Sequence, residues 1–303
     1  MRLDPAQLDT LLAVAEEGSF EAAARRLHVT PSAVSQRVRA LERAAGQVLV
    51  RRTAPVEVTD AGAPVMRLAR QLRLLADEAV GALGDAAVVD LAVAVNADSL
   101  ATWFRPVLGS LAGSSSTALR LFVDNEAVSH DLLRRGEVLA AVTSEPRPVQ
   151  GCSVEPLGTM RYLPAGAPTF VEQHRRGRRF AWGSAPVVVF DEKDRLQDEV
   201  LAGHGVGRPV VVHRVPTTDD FLAAIQWGLG WGLVPEQQLA AADGTLVRLP
   251  GASPVGVALH WQRWRLQSTA LDSLSASVRD AAGQLRRGRR RSGIEKPSGS
   301  APA

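Results

Sequence analysis

Apolar residues near the start of the chain recur at spacings of three and four, which is typical of helices that bury one face. Pro5–Glu17 is predicted as the first helix, and two shorter helices joined by a tight turn follow within residues 18–49. Thr30 is suited to cap the second of these, and Pro31 stands at its first helical position, where the missing N–H costs nothing. The pattern predicts a helix-turn-helix whose second helix, the recognition helix, carries hydroxyl, amide and guanidinium groups.

Two short apolar stretches, residues 48–52 and 56–59, flank a proline-containing turn and predict the strands of a wing. Residues 60–83 form a long predicted helix whose apolar positions have the spacing of a coiled-coil seam. We expect this seam to pair two chains, so that two recognition helices address a two-fold DNA site. The alternative is that it packs onto its own domain. The predicted dimerisation residues are Val65, Leu68, Leu72, Leu75 and Ala79.

From residue 88 onward, short apolar strands alternate with helices, which predicts an α/β domain with mostly parallel sheets. The predicted fold class is therefore α/β, preceded by an all-α-type winged helix-turn-helix. A length of 303 residues favours two or three domains, and a hydrophobic content of 46% is ample for their cores.

Positive charge is concentrated on the helix-turn-helix. Residues 25–52 hold seven arginines against one acid, Glu42, whereas residues 1–60 hold eight arginines and eight acids. Such a concentration on a neutral domain suits phosphate binding, although a charged helical hairpin can also be merely solvated. We expect base contacts from Ser32, Ser35, Gln36 and Arg37, and backbone contacts from Arg51 and Arg52. The full set of predicted DNA-binding residues is Ser19, Thr30, Pro31, Ser32, Ser35, Gln36, Arg37, Arg39, Arg51 and Arg52.

Several function classes are not expected. The lone cysteine, Cys152, excludes an intrachain disulfide and fits a reducing cytosol. No apolar run approaches the ~20 residues of a membrane span, and the N-terminus lacks a signal-peptide core, so we expect a cytoplasmic protein without a membrane partner. The six histidines show no metal spacing, and neither a phosphate loop nor a nucleophile elbow occurs. We therefore expect no metal, no cofactor and no enzymatic activity.

A family resemblance is carried by GSFEAAARRLHVTPSAVSQRVRALE at residues 18–42, followed by VLVRR and VTDAG. These motifs resemble the N-terminal module of LysR-type transcriptional regulators, with Leu49-Val50 replacing the usual Leu-Phe pair. The α/β part resembles the two-lobed, periplasmic-binding-protein-like effector domain of the same family. Within the family, the chain resembles the ArgP/LysG subfamily in VNADSLATWF, LLRRGEVLAAVTSEPRPVQGC, FDEKDRLQD, GLGWGLVPEQQL and HWQRWRLQSTALDSL.

The resemblance implies a domain order. Residues 1–60 would be the winged DNA-binding domain, 61–87 the dimerisation helix, and 88–285 the effector domain. Its first lobe would span about 88–162 plus 266–285, and its second about 163–265. The basic segment 286–303 is predicted to be a disordered tail.

The subfamily implies a regulator that senses lysine or arginine and activates a basic amino-acid exporter gene. Its partners would be double-stranded operator DNA, a second copy of itself in a homodimer or homotetramer, and RNA polymerase. Two alternatives stay open: a LysR-type regulator with a different effector, or an architectural or replication-origin DNA-binding protein without effector control.

Ligands of open α/β sheets bind outside the carboxyl ends of the strands. Backbone N–H groups and the Ser99 hydroxyl would hold the effector's α-carboxylate, and nearby acids would hold its α-ammonium and distal cation. For each acid the alternative is an ordinary helix cap. Trp103, Trp182, Trp227 and Trp231 could wall the pocket or pack in the core. The predicted effector-binding residues are Asn96, Asp98, Ser99, Asp124, Thr143, Asp191, Thr217 and Asp219.

Overall fold

The computed structural model describes residues 3–84, 87–123 and 126–287. Asp4, Ser19 and Thr30 cap the first three helices by accepting hydrogen bonds from backbone N–H groups, and Gly18 and Gly46 end two of them with φ of 69° and 66°. The predicted winged helix-turn-helix is confirmed, with shorter wing strands than expected. Its elements are α1 (Pro5–Glu17), α2 (Phe20–Arg26), α3 (Pro31–Ala45), β1 (Val50–Arg51), β2 (Glu57–Val58) and the linker helix α4 (Ala63–Ala82).

The linker helix α4 has two different halves. Its first turns pack on α1, so Val65 is only 8% exposed within the core of the winged part, and Leu68 packs against that core. In its second half, Leu72 and Leu75 are 42% and 37% exposed, and Ala79 is also exposed. The prediction that Val65 pairs two chains is therefore wrong, because this side chain is buried in the core of its own domain. Leu68 shares that packing, whereas the three later positions are accessible.

The remaining chain alternates strands and helices as predicted. In chain order these elements are β3 (Val89–Val95), α5 (Ala97–Ala101), α6 (Arg105–Ser110), β4 (Thr117–Val123), α7 (Glu126–Arg135), β5 (Ala140–Thr143), β6 (Cys152–Gly166), α8 (Pro168–Gln173), β7 (Arg175–Arg176), β8 (Arg179–Phe180), β9 (Val187–Val189), α9 (Leu196–Gly203), β10 (Val212–Arg214), α10 (Thr218–Gln226), β11 (Gly232–Pro235), α11 (Glu236–Ala241), β12 (Val247–Arg248), β13 (Val255–Trp264) and α12 (Thr269–Arg287).

The chain divides into two compact units. The first unit comprises the described residues of Met1–Asn96, Val107–Glu155 and His260–Ser277; the second comprises those of Ala97–Pro106, Pro156–Leu259 and Val278–Ala303. The winged part thus belongs to the same unit as the first lobe. The division also differs from the expected lobe boundaries, since residues 97–106 and 156–162 lie in the second unit. Helix α12 extends to Arg287, and the rest of the predicted tail lies outside the described residues.

The sheet of the first unit has the order β13–β5–β3–β4. β3 pairs in parallel with β4, from Val89↔Thr117 to Val95↔Val123, and also in parallel with β5. β13 pairs antiparallel with β5, with Trp261 opposite Val142. In the second unit, β9 and β10 are parallel, whereas β11 and β12 both pair antiparallel with β6. The expectation of mostly parallel sheets was wrong for the pairings of β6 with β11 and β12 and of β13 with β5, which are antiparallel.

Candidate DNA-binding and effector-binding sites

The outer face of α3 carries the predicted base-reading side chains. Ser32, Gln36 and Arg39 are exposed, and their spacing of four and three places them on one side of the helix. The opposite side is buried through Val34, Val38 and Leu41. Ser35 is half-buried and lies between the two faces. The structure therefore brings these polar residues together on one accessible surface of the predicted recognition helix.

Arg37 differs from the expected base contact. It is half-buried, and its guanidinium lies 3.4 Å from the Thr10 hydroxyl on α1. Ser19 and Thr30 use their hydroxyl oxygens to accept from the N–H groups of Ala22 and Ala33. Ser19 and Thr30 thus cap the starts of α2 and α3, and Arg37 links α3 to α1.

The wing is fixed beside the helix-turn-helix. The carboxylate of Glu42, the acid on α3, accepts a hydrogen bond from the Leu49 N–H at 3.0 Å at the start of the wing. The Arg52 guanidinium lies 4.8 Å from the centre of the Phe20 ring. Arg51 is exposed, 3.9 Å from a carboxylate oxygen on the neighbouring wing strand. Both wing arginines are accessible, and their contact with phosphates stays a prediction.

Not every arginine of the basic segment is available to DNA. Arg26 donates to Glu16 at 2.8 Å and to Glu17 at 3.2 Å. Partial burial opposes the charge of Arg26, yet these two carboxylates raise its pKa. By contrast, no ion-pair partner occurs within the described part of the chain for four other arginines of this segment: Arg25, Arg39, Arg43 and Arg52.

A charged cluster joins the winged part to the first lobe. Glu16 on α1 lies 3.8 Å from Arg70 on α4 and 3.4 Å from Arg120 on β4. Arg120 also pairs with Asp90 on β3 at 3.0 Å. Burial lowers the pKa of Arg70 more strongly than Glu16 raises it. The carboxylate of Glu16 therefore lies at a junction of the recognition domain, the linker helix and the lobe.

The linker helix is also bound to the lobe along its length. Arg67 donates to the carbonyl of Arg134 at 2.6 Å, just before the C-terminus of α7. Glu78, one turn before the C-terminus of α4, accepts from the Ser268 hydroxyl at 2.7 Å and from the Ala270 N–H at 2.9 Å. A displacement of this lobe would thus carry α4 with it.

Two predicted effector residues belong to the first unit. Asn96 follows β3 directly and Thr143 ends β5; both are buried, and the two strands are parallel neighbours. The Thr143 hydroxyl oxygen accepts from the N–H of Glu145 at 3.1 Å. Asp124 lies outside the described residues.

The second unit contains the other five predicted effector residues. Asp98 and Ser99 lie on α5, and α5 contacts α10. Asp98 is half-buried and accepts from the Tyr162 hydroxyl at 2.9 Å. Ser99 is fully buried, and its hydroxyl has no hydrogen-bond partner among the residues that the structure describes. Tyr162 was not predicted, because it lies 64 residues from Asp98 along the chain.

The other three predicted effector residues, Asp191, Thr217 and Asp219, lie in a turn or at the start of a helix. Asp191 accepts from the N–H groups of Lys193 and Asp194 at 2.7 and 2.9 Å, which shapes the turn before α9. Thr217, the residue before α10, donates to Asp220 at 2.5 Å. Asp219 is exposed in the first turn of α10. Asp191 therefore shapes a turn and does not cap α9, and the Thr217 side chain caps no backbone N–H group of α10.

The four tryptophans that could wall a pocket or pack in the core differ in burial. Trp103, Trp182 and Trp231 are buried, whereas Trp227 is 86% exposed and packs in no core.

No group of three metal-ligating side chains occurs in residues 3–84, 87–123 and 126–287. Over those same ranges, no helix is both long and apolar enough to cross a lipid bilayer.

The two parts of the chain match two family models. Residues 5–63 match the bacterial regulatory helix-turn-helix proteins of the lysR family, and residues 90–283 match the LysR substrate binding domain. The chain is 45% identical over 286 residues to the lysine export transcriptional regulatory protein LysG of Corynebacterium glutamicum, covering 92% of this chain and 98% of that protein.

Solved structures give the same picture. The structure is similar to full-length LysG from Corynebacterium glutamicum with bound effector Arg, with a TM-score of 0.76 and 44% identity, covering 93% of this chain and 98% of that one. It is also similar to ArgP from Mycobacterium tuberculosis, with a TM-score of 0.83 and 43% identity over 94% and 99% of the two chains. The chain therefore belongs to the LysR family of bacterial helix-turn-helix proteins, which are transcription regulators and not enzymes.

Proposed function

We propose that this protein is a DNA-binding transcription regulator that senses a basic amino acid, arginine or lysine. The observation that carries the proposal is the pair formed by Asp98 and Ser99 on α5. The fully buried Ser99 hydroxyl, which has no hydrogen-bond partner within the described ranges, lies next to the half-buried Asp98 carboxylate. Buried polar groups normally have partners, so an unsatisfied Ser99 hydroxyl favours a ligand that supplies one.

The two side chains complement the ends of an amino acid. The Ser99 hydroxyl can donate to a carboxylate, and Asp98 can accept from an ammonium or guanidinium group in a charge-assisted hydrogen bond. The Tyr162 hydroxyl, 2.9 Å from Asp98, orients that carboxylate. The structure of LysG with bound arginine supports the choice of a basic ligand.

On the DNA side, α3 would read base edges through Ser32, Ser35 and Gln36, while Arg51 and Arg52 on the wing would contact phosphates. Two chains would pair through the accessible half of α4, placing two recognition helices on a two-fold operator. Effector binding would favour one arrangement of the assembly over another, since a ligand shifts an equilibrium only through its differential affinity.

The name of the LysG relative, a lysine export regulator, supports a basic amino-acid exporter gene as the target. We infer activation rather than repression, with RNA polymerase as the partner at the promoter, and a cytoplasmic location where both DNA and free amino acids are available.

Calorimetry of the full-length protein with L-arginine, L-lysine and L-glutamate tests the effector. We expect heat from arginine or lysine and none from glutamate, because Asp98 attracts a cation. Loss of one charge-assisted bond costs about 1.5–3 kcal/mol, so Asp98→Asn should weaken binding by about 10- to 100-fold. The matched control Asp243→Asn makes the same charge change on an exposed loop of the same unit and should bind like the unaltered protein. Absence of heat with both basic amino acids would reject the proposal and favour a regulator with another effector or none.

A further inference from the structure

The second unit contains a cavity that the effector residues do not line. Its volume is about 560 Å³, which is within the range of ~300–1,000 Å³ typical of small-molecule sites. It lies between the β7–β8 hairpin, the segment that follows it, and the C-terminal end of α9. The side chains that give it chemical character are Arg178, Arg179, Phe180, Trp182, Ser184 and His204.

The charge of this cavity is positive. The hairpin carries four arginines in the sequence RRGRR. Arg175 pairs with Glu172 at 2.7 Å, and Arg176 donates to backbone carbonyls, so these two are engaged outside the cavity. Arg178 and Arg179 line the cavity, and neither has an ion-pair partner among the described residues. Since no acidic side chain of the described ranges lines the cavity, the cavity suits an anion.

The cavity also has an aromatic wall. The rings of Trp182 and His204 are stacked, with centroids 4.2 Å apart and an interplanar angle of 13°. Trp182 is buried and held edge-on by Phe180 at 5.0 Å and by Trp231 at 5.1 Å. His204 is exposed, so the stack presents a firmly supported ring to the cavity. Planar aromatic rings pack well against such a surface.

We propose that this cavity is a second ligand site, which binds a planar aromatic ring bearing a carboxylate or a phosphate. The ring lies against His204 and Trp182, and the anionic group is held by Arg178 and Arg179. The site rejects lysine and arginine, because its described lining has two guanidinium groups, which repel a second cation. It would let the regulator respond to a second class of metabolite.

Calorimetry of the full-length protein with adenosine 5′-monophosphate and with indole-3-acetate tests this site. Inorganic phosphate and adenosine, the two parts of the nucleotide, are measured separately as controls. We expect binding of at least one ring anion. Arg178→Gln combined with Arg179→Gln should weaken it by about tenfold or more, because two charge-assisted contacts are lost. The matched control, Arg175→Gln combined with Arg176→Gln, removes the same charge from the same hairpin and should change affinity by less than about twofold.

The outcomes separate the sources of the anion. Binding of the nucleotide without indole-3-acetate assigns a phosphate ligand, and the reverse assigns a carboxylate. The proposal is overturned if neither probe binds at millimolar concentration, or if both double variants lose affinity equally. It is likewise overturned if inorganic phosphate binds as tightly as the nucleotide, which would indicate an adventitious ion only. His204→Ala provides a further check, since removal of the exposed ring should weaken the ring anions and leave phosphate unaffected.

Discussion

Replacing Glu16 by Gln removes a carboxylate that three arginines share. Arg26 lies 2.8 Å from it, Arg120 3.4 Å and Arg70 3.8 Å, and these arginines belong to α2, β4 and α4. The substitution keeps the size of the side chain and abolishes its charge. We expect both lower stability of the first unit and looser attachment of the winged part to the linker helix and lobe.

The magnitude follows from burial. The side chains of Glu16 and Arg70 are each 12% exposed, and burial already lowers the pKa of Arg70. Without Glu16, the largely buried Arg70 would face the like charge of Arg120 and keep only the weaker attraction of Glu137 and Asp90. Breaking a fully buried pair costs about 3–5 kcal/mol; with the remaining exposure, we expect about 2 kcal/mol here. For a unit of this size that corresponds to a decrease in Tm of about 4–8 °C.

Thermal unfolding followed by circular dichroism measures the effect, with Glu17→Gln as the matched control. Glu17 is the next residue along α1, its side chain is 36% exposed, and it makes one ion pair, with Arg26. Such a surface pair contributes about 0.5 kcal/mol, so the control should lose no more than about 2 °C. Glu16→Gln combined with Arg70→Gln should be less destabilising than the sum of the single changes, because the two groups interact. Equal losses for the two glutamate variants, or strictly additive ones for the pair, would refute the reasoning.

Three further predictions concern separate parts of the chain. Leu72→Glu combined with Leu75→Glu should give folded monomers in light scattering, because both side chains are exposed on α4; persistent dimers would place the interface elsewhere. Gln36→Ala should weaken operator binding by about 1–3 kcal/mol and spare random DNA, whereas Arg52→Ala should weaken both and reduce the salt slope by about one. Equal loss on both DNAs for Gln36→Ala would contradict base reading. Burial raises the pKa of Cys152 to about 12, so thiol reagents at pH 8 should label the protein only after unfolding, and rapid labelling of the native protein would contradict this.

The winged part was predictable because its determinants are local. The Thr30 cap, Pro31 at the first helical position and the left-handed Gly46 are all within a few residues of the helix end that they define. Partners that are distant in sequence were not predictable. The Thr10 hydroxyl that contacts Arg37 is 27 residues away from it along the chain. Periodicity along α4 likewise cannot distinguish a residue that packs in its own domain from one that pairs two chains.

The effector domain shows the same limit at larger scale. β6 is fifteen residues long, yet Pro156, Gly158 and Pro164 interrupt its pattern, and its partners β11 and β12 come from far along the chain. The contact that orients Asp98 joins it to Tyr162 across 64 residues. Sequence patterns could therefore identify the acids that end strands or begin helices. They could not predict which of these acids would be hydrogen-bonded by a residue from a distant strand or helix.

The most direct test of effector-controlled DNA binding is a nuclease protection pattern on the DNA upstream of the gene for this protein. Full-length protein would be compared without ligand, with L-arginine or L-lysine, and with L-glutamate as the control. The account predicts a protected operator whose boundaries or internal cleavage change with arginine or lysine and not with glutamate. A pattern that is identical under all conditions, at concentrations that saturate calorimetric binding, would contradict it.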